Sequence, residues 1–538
     1  MSRLDLSPFP RVESPLAPLG QFAHWVAWVG IELTVGLLIG AIVARVLRAK
    51  HLHWSWPALA AILVGVLHAP LGSLTPALAC IALTATRRSR RWHKEDLEAG
   101  ADLAEVARRR SAPIDLLRSA ANAIVLRRLR GGKAHGWFRG EELVLGRDER
   151  GRFVSVPFAP QRGGTHALLV GATGSGKTVT QTWMAVQAIE RGMGVVVIDP
   201  KGDRAMRAAI DRAARIAGKS FVEWTPDGPC VYNPFARGGV SEIADKALAG
   251  ERFTEPHYLR QAQRFLGHVV RSLHGAGIEA SLQAIAHHLD PARLEMLARS
   301  LDEERAEVTH AYLDSLTPRQ RTDIAGVRDR LAILAESDVG RWLDPSTDAA
   351  EQFDLLDAVR ARAVVYFRLD ADSRPLLAQM LGAAIVQDLQ TTVSSLQGCP
   401  IPTAVVIDEF ASLAAEHVVR LFGRARSAGV SLVLSTQELA DLRLPGREAL
   451  LEQVMGNLTV LIAHRQVVPA SAELIAGLAG TKGVWKTSRR GDGQTTRTRA
   501  REGLLRAGEV TGLGPGWAAV FVLSEGGSAR VARVFSAD

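Results

Sequence analysis

Thr165-His-Ala-Leu-Leu-Val170, running directly into Gly171-Ala-Thr-Gly-Ser-Gly-Lys-Thr178, is the stretch of this 538-residue chain that decides its fold. The first six residues read as a short apolar strand, and the pattern from Val179 to about Arg191 reads as a helix. Between them stands the spacing G-x-x-x-x-G-K-S/T, in the strand–loop–helix setting that its chemistry requires. Glycines let the backbone curl so that successive N–H groups face phosphate oxygens, and the helix N-terminus adds partial positive charge. On this reading Gly171, Ala172, Thr173, Gly174, Ser175, Gly176, Lys177 and Thr178 cradle the phosphates of ATP. Lys177 reaches the β- and γ-phosphates, and the Thr178 hydroxyl ligates Mg²⁺.

Three further strands extend the pattern. Met193-Gly-Val-Val-Val-Ile-Asp199 ends at Pro200-Lys-Gly-Asp203, and Ala404-Val-Val-Ile-Asp408-Glu409 ends in paired acids. Asp408 suits a water-mediated contact to Mg²⁺; Glu409 suits the base that orients and polarises the attacking water. Val430-Ser-Leu-Val-Leu-Ser-Thr436 ends at Gln437, a polar residue placed to sense the γ-phosphate. Strands alternating with helices, with chemistry at their carboxyl ends, describe a parallel α/β sheet with a crevice at the switch point. Arg424 and Arg426 have no evident partner in cis, and Arg465 follows the apolar run Leu458 to Ala463. Each is a candidate for an arginine inserted against the γ-phosphate of a neighbouring subunit.

The remaining chain divides around this motor. Residues 255–350 carry helical patterns and little strand signal, which predicts an all-helical insertion between motor segments at 161–254 and 351–538. Strand signal returns at Ala363 to Leu369 and again at Ala518–Leu523 and Ala529–Phe535. Residues 95–160 form an arginine-rich stalk and the entry to the motor. Arg489, Arg490, Arg497, Arg499 and Arg501 mark a flexible basic loop.

Residues 1–94 read as a membrane anchor. The apolar run from about Phe22 to Ala44 is long enough, at 1.5 Å per residue, to cross a hydrocarbon core of about 30 Å. A second run from about Trp54 to Ala85 is broken near Pro70 and Gly72, giving two or three spans in all. Arginines from Arg87 to Arg91 follow it, which predicts that the ATPase part is cytoplasmic and the protein multi-pass in the inner membrane. The formal charge of +9 suits a polyanion or an anionic membrane surface. Cys80, Cys230 and Cys399 show no C-x-x-C spacing, so neither a zinc site nor a disulfide framework is indicated.

Taken together, the phosphate loop, Asp199-Pro-Lys-Gly-Asp203, Asp408-Glu-Phe-Ala-Ser-Leu413 and Gly423-Arg-Ala-Arg-Ser-Ala-Gly429 with Gln437 resemble the coupling proteins of conjugative DNA transfer and type IV secretion. The resemblance covers nearly all of the chain from about Phe22. It implies a membrane-anchored homo-hexameric ATPase with a RecA-like P-loop NTPase domain, an inserted all-helical domain and N-terminal transmembrane helices. It implies DNA, a relaxase with its relaxosome, and the components of a type IV secretion channel as partners. It places Arg426 at the family's trans-acting arginine, with Arg424 second, and Gln437 at its motif-III glutamine. The implied function is to drive a relaxase-bound single strand of DNA toward the channel. An FtsK/HerA-like double-stranded DNA translocase and an ATPase that energises protein secretion are the alternatives. Two features depart from the family pattern: residues 45–53 leave almost no periplasmic loop, and no long acidic tail closes the chain.

Overall fold

Val195, Val196, Val197 and Ile198 have essentially no exposed surface, nor do Val405 to Ile407 or Leu432 to Leu434. Apolar runs buried on both faces belong to a parallel sheet covered by helices on each side. The computed structural model describes residues 17–49, 52, 54–67, 74–98, 137–159, 161–251, 253, 255–348, 351–413, 415–443, 449–489, 495–525 and 529–537. It places these runs at the centre of a twelve-stranded sheet.

The strands follow in chain order. β1 (Phe138–Arg139), β2 (Glu142–Arg147) and β3 (Phe153–Pro157) come first, then β4 (Ala167–Val170), β5 (Gly194–Asp199) and β6 (Phe221–Trp224). β7 (Cys230–Tyr232) and β8 (Glu351–Phe353) form a separate parallel pair. β9 (Val364–Arg368), β10 (Thr403–Ile407), β11 (Val430–Thr436) and β12 (Val460–Ala463) rejoin the main sheet. β13 (Thr481–Arg489) and β14 (Thr495–Gly503) pair with each other, and β15 (Trp517–Val522) and β16 (Ala529–Val534) close the main sheet.

The parallel part runs β12-β4-β11-β10-β5-β9-β6. β15, β16, β2, β3 and β1 extend it past β12 by antiparallel pairing. In register, Ile407 faces both Ile198 and Leu434, while Val170 faces both Thr436 and Ala463. The carboxyl ends of five neighbouring strands therefore finish along one edge. Side chains alternate between two cores. Leu168, Val196 and Ile198 face one, Leu169, Val195 and Val197 the other.

Between β7 and β8 lies a run of helices: Val240–Leu248, Pro256–Gly275, Leu282–His288, Pro291–Ala298, Glu303–Asp314 and Pro318–Ala335. Their starts are written locally. Asp290, Asp302 and Thr317 accept bonds from first-turn N–H groups, and proline opens three of the helices. Phe265, Leu273 and Leu331 from these helices share the core that holds Val196 and Ile198. A buried ion pair ties the entry helix to the helix Pro375–Ser395. Lys246 Nζ meets Asp388 Oδ1 at 2.6 Å and also donates to the carbonyls of Pro234 and Arg237. The Tyr232 hydroxyl donates to Asp388 Oδ2 at 2.7 Å.

The chain separates into two compact units, one holding the N-terminal helices and most of the β13–β14 hairpin, the other the main sheet and the helical insertion. In the first unit, helix Ala17–Ala49 packs on Thr75–Glu98, with Gly36 against Cys80 and Gly40 against Thr84. The multi-pass membrane topology expected from the sequence is corrected here. Among the described residues one helix, at His24–Ala49, is long and apolar enough to cross a membrane. The second apolar run divides. Ser55–Val66 has 12 residues and is too short for an upright span of about 30 Å. Thr75–Glu98 turns strongly basic at Arg87, Arg88, Arg90 and Arg91. Residues 68–73, where the hairpin with Pro70 and Gly72 was expected, lie outside the described residues, as do 99–136 of the expected stalk and Arg490 of the basic loop.

The buried pair generates a stability prediction. Asp388→Ala leaves the Lys246 ammonium, 1% exposed, with carbonyl partners only. It should lower apparent stability by about 3–5 kcal/mol, read as a shifted urea midpoint. Lys246→Met combined with Asp388→Leu should lose less than Asp388→Ala alone.

Candidate nucleotide-binding site

β4 ends at Val170, and the loop from Gly171 to Gly176 carries the chain into the helix Lys177–Glu190. Three neighbours hold this loop by backbone bonds. Gly171 N donates to Gln437 O (3.2 Å), Ala172 N to Arg465 O (2.9 Å), and Gly516 N to Ser175 O (2.9 Å). Gly171 has no room for a side chain, since a Cβ would stand 2.5 Å from Ser175 Oγ and 2.7 Å from His464 Cβ. Gly176 adopts φ 108°, a conformation that L side chains rarely adopt, at the helix start. No side chain caps this helix N-terminus. Beneath the loop, Thr180 Oγ1 and His464 Nε2 are 2.9 Å apart, and His464 Nδ1 lies 3.1 Å from Trp517 O. Burial holds the His464 imidazole down at about 4, so it stays neutral at physiological pH.

Lys177 and the paired acids come together although 232 residues separate Lys177 from Glu409 in sequence. Lys177 Nζ lies 2.7 Å from Glu409 Oε1, with both side chains about nine-tenths buried. The same oxygen accepts a second bond from Lys201 Nζ at 2.8 Å. Burial alone would raise the Glu409 carboxyl, but the bonds from Lys177 and Lys201 outweigh it and hold the group below the usual carboxylate range. Glu409 takes φ 46°, a left-handed conformation for a non-glycine residue at a strand end. Asp408 differs. Burial pushes its carboxyl up, with only partial relief from the Ser435 hydroxyl, which donates to Oδ1, and from the charge of Lys177. Ser435 Oγ also accepts from Glu409 N at 3.2 Å, so β11 braces both acids.

Asp199 builds the turn that carries Lys201. Its Oδ1 accepts from Lys201 N and Gly202 N, both at 2.9 Å, and its Oδ2 accepts from Asp203 N (2.7 Å) and the Tyr366 hydroxyl (2.6 Å). Asp203 then caps the helix Arg204–Ile216.

The candidate arginines separate clearly. Arg426 and Arg424 lie just ahead of β11, at the opposite strand ends from the phosphate loop. Arg426 Nε donates to Gly164 O at 3.3 Å, and Arg424 Nη1 to Ser394 Oγ at 3.1 Å. Neither meets the loop of its own chain. Arg465 does border it, through its backbone carbonyl, and its Nε is buried without a hydrogen-bond partner among the described residues. Gln437 stands at the end of β11, beside Gly171. Sequence reasoning missed the Lys201–Glu409 contact, Ser435 beneath both acids, and His464 behind the loop. The flagged Pro200-Lys-Gly-Asp203 segment was the available signal for the first of these.

The residues fit a magnesium nucleotide. Ser175 Oγ is buried in the loop with no hydrogen-bond partner among the described residues, the helix N-terminus has no side-chain cap, and the lysine that would meet phosphate is present. No group of three or more His, Cys, Asp or Glu able to hold a metal occurs among the described residues. Mg²⁺ bound mainly through phosphate and water would need only one or two protein oxygens, and Thr178 at the helix start and Asp408 beyond β10 carry oxygens of the right kind.

The comparisons with known proteins agree with this fold. The sheet and its helices superpose on the bacterial conjugative coupling protein TrwB with a TM-score of 0.55 at 19% identity, covering 74% of this chain and 92% of that one. TrwB bound to a non-hydrolysable ATP analogue gives the same TM-score, over 75% and 90% of the two chains. VirB4 of Thermoanaerobacter pseudethanolicus superposes with a TM-score of 0.51 at 15% identity, over 75% and 98%. In sequence, the type 4 coupling protein DotL of Legionella pneumophila is 22% identical over 353 residues, 53% of this chain and 45% of DotL. An uncharacterised protein of Mycoplasma pneumoniae is 33% identical over 104 residues, 19% of this chain and 69% of that protein. The profile of the type IV secretion-system coupling protein DNA-binding domain matches residues 150–501, well over half of the chain. This chain therefore belongs to the family of type IV secretion-system coupling proteins.

Proposed function

We propose that this chain is an ATP-hydrolysing coupling protein that drives DNA, as a relaxase-bound single strand, toward a type IV secretion or conjugation channel. The observation that carries the reading is the 2.7 Å contact between Lys177 and Glu409 at the mouth of an uncapped phosphate-type loop. Family membership supports the coupling role. The helix His24–Ala49 suits contact with a membrane by length and composition.

The residues divide the work by position. Within the Gly171–Thr178 loop, the N–H groups of Gly174, Gly176, Lys177 and Thr178, which the loop's own backbone bonds leave available, hold the phosphates, and Lys177 leaves Glu409 to meet them. Thr178 directly and Asp408 through water would hold Mg²⁺, which would supply neutralisation of charge on the phosphate oxygens. Glu409 takes the proton of the attacking water as that water's oxygen bonds the γ-phosphorus and the bond to the leaving ADP oxygen breaks. Gln437, at the next strand end, senses the γ-phosphate. Arg426 serves the loop of the adjacent subunit in a homo-hexamer, which fits its position away from the loop of its own chain. Relaxosome proteins and channel components are the protein partners. DNA is gripped through its phosphate backbone, a charge-based contact tolerant of sequence.

An ATPase assay of the purified full chain with and without single-stranded DNA tests this reading. Turnover should rise with single strands, and DNA affinity should fall steeply with salt. Greater stimulation by duplex than by single strands would favour a double-strand pump, and no stimulation would point to protein secretion. Lys177→Ala should reduce turnover by at least about a hundred-fold, and Glu409→Gln should bind ATP while hydrolysing it at least about a hundred-fold more slowly. Parent rates in both would refute the site. Arg426→Ala should be inactive alone and recover activity when mixed with Lys177→Ala subunits, because each then supplies what the other lacks.

A further inference from the structure

Glu409 Oε1 accepts from two ammonium groups at once, Lys177 at 2.7 Å and Lys201 at 2.8 Å. Glu409 Oε2 has no hydrogen-bond partner among the described residues. The two lysines come from different elements and differ in exposure. The Lys177 side chain opens the helix after β4 and is 8% exposed, whereas that of Lys201 follows β5 and is 45% exposed. Lys177 has a second task if nucleotide binds, because it is the residue that reaches phosphate. A carboxylate that lost its only cation while holding a left-handed backbone would be free to turn away. Lys201 has no such competing task. Its turn is fixed by four bonds to Asp199, and Asp372 is the nearby charge that faces it besides the paired acids.

We infer that Lys201 is a positioning residue for Glu409, retaining Oε1 when Lys177 moves to the phosphates and so aiming Oε2 at the attacking water. This rests on the proposed ATPase reading. Two lysines on one oxygen thus act in sequence. The first shields the carboxylate before nucleotide enters, and the second orients it afterwards. Because the contact is to Glu409 and not to the loop, its loss should appear in turnover and not in nucleotide affinity.

The test uses the full chain with Lys201→Met and Lys201→Arg, each read by turnover and by affinity for a fluorescent ATP analogue. Lys201→Met should keep affinity within about three-fold of the parent while kcat falls roughly ten-fold or more, and Lys201→Arg should recover most of that loss. On the Glu409→Gln background, Lys201→Met should cause no further loss in single-turnover rate. An affinity loss of roughly ten-fold or more with kcat intact would mean that Lys201 contacts the nucleotide, and would overturn the inference. So would additive losses in the double variant, or a parent-like kcat in Lys201→Met beside an inactive Glu409→Gln. A Glu409→Gln protein as fast as the parent would instead refute the ATPase assignment itself. Lys201→Arg guards against a folding artefact, because it keeps the charge at a half-exposed position.

Discussion

The Lys177 ammonium and the Glu409 carboxylate meet in a buried crevice, and that contact depends on strand order. β4 delivers the phosphate loop and β10 delivers the acids, with β11 between them. Two inter-strand spacings place β4 and β10 roughly 10 Å apart, a gap that a lysine and a glutamate side chain reaching toward each other close. Adjacent strands would crowd the loop against the acids, and a wider separation would leave Lys177 short. The intervening strand is also used. Ser435 braces Asp408 and the Glu409 backbone, and the Gln437 carbonyl holds Gly171. An unpaired charge in so buried a place would be costly, so the pairing of Lys177, Lys201 and Glu409 is what lets the site stay charged before a ligand arrives.

The surroundings of the crevice are built for rigidity. Asp199 spends both carboxylate oxygens on its own turn and on Tyr366, which fixes the residues that face Glu409. His464 sits neutral behind the phosphate loop and joins it to the β15 region through Thr180 and the Trp517 carbonyl. The helical insertion shares a core with one face of the sheet, and Lys246, Asp388 and Tyr232 anchor its first helix. The insertion is thus packed and hydrogen-bonded onto the same sheet that carries the site.

Much of this was legible in the sequence because its signals are local. The strand before Gly171, the apolar runs ending at Asp199, Asp408–Glu409 and Gln437, and the capped helices between residues 255 and 345 are written in neighbouring residues. Contacts between distant segments were not. Lys201 lies 208 residues before Glu409, and nothing local reveals that its side chain turns toward the acids. His464 gave no motif, since its role arises from hydrogen-bond contacts with two distant segments, at Thr180 and at the Trp517 carbonyl. The multi-pass count fails for a different reason: the run from Trp54 to Ala85, broken near Pro70, reads as one or two further spans, but its helix Ser55–Val66 has only 12 residues and its helix Thr75–Glu98 continues into an arginine-rich half. The arginines show the limit of reading one chain. Arg426 sits at the far strand ends, where a site completed by a second subunit would be invisible within a single copy.

The most direct measurement is a structure of the protein with a non-hydrolysable ATP analogue and Mg²⁺. The account predicts the triphosphate in the Gly171–Thr178 loop, Lys177 turned from Glu409 onto it, and Mg²⁺ near Thr178 and Asp408. Phosphates bound elsewhere, with Lys177 still paired to Glu409, would contradict it.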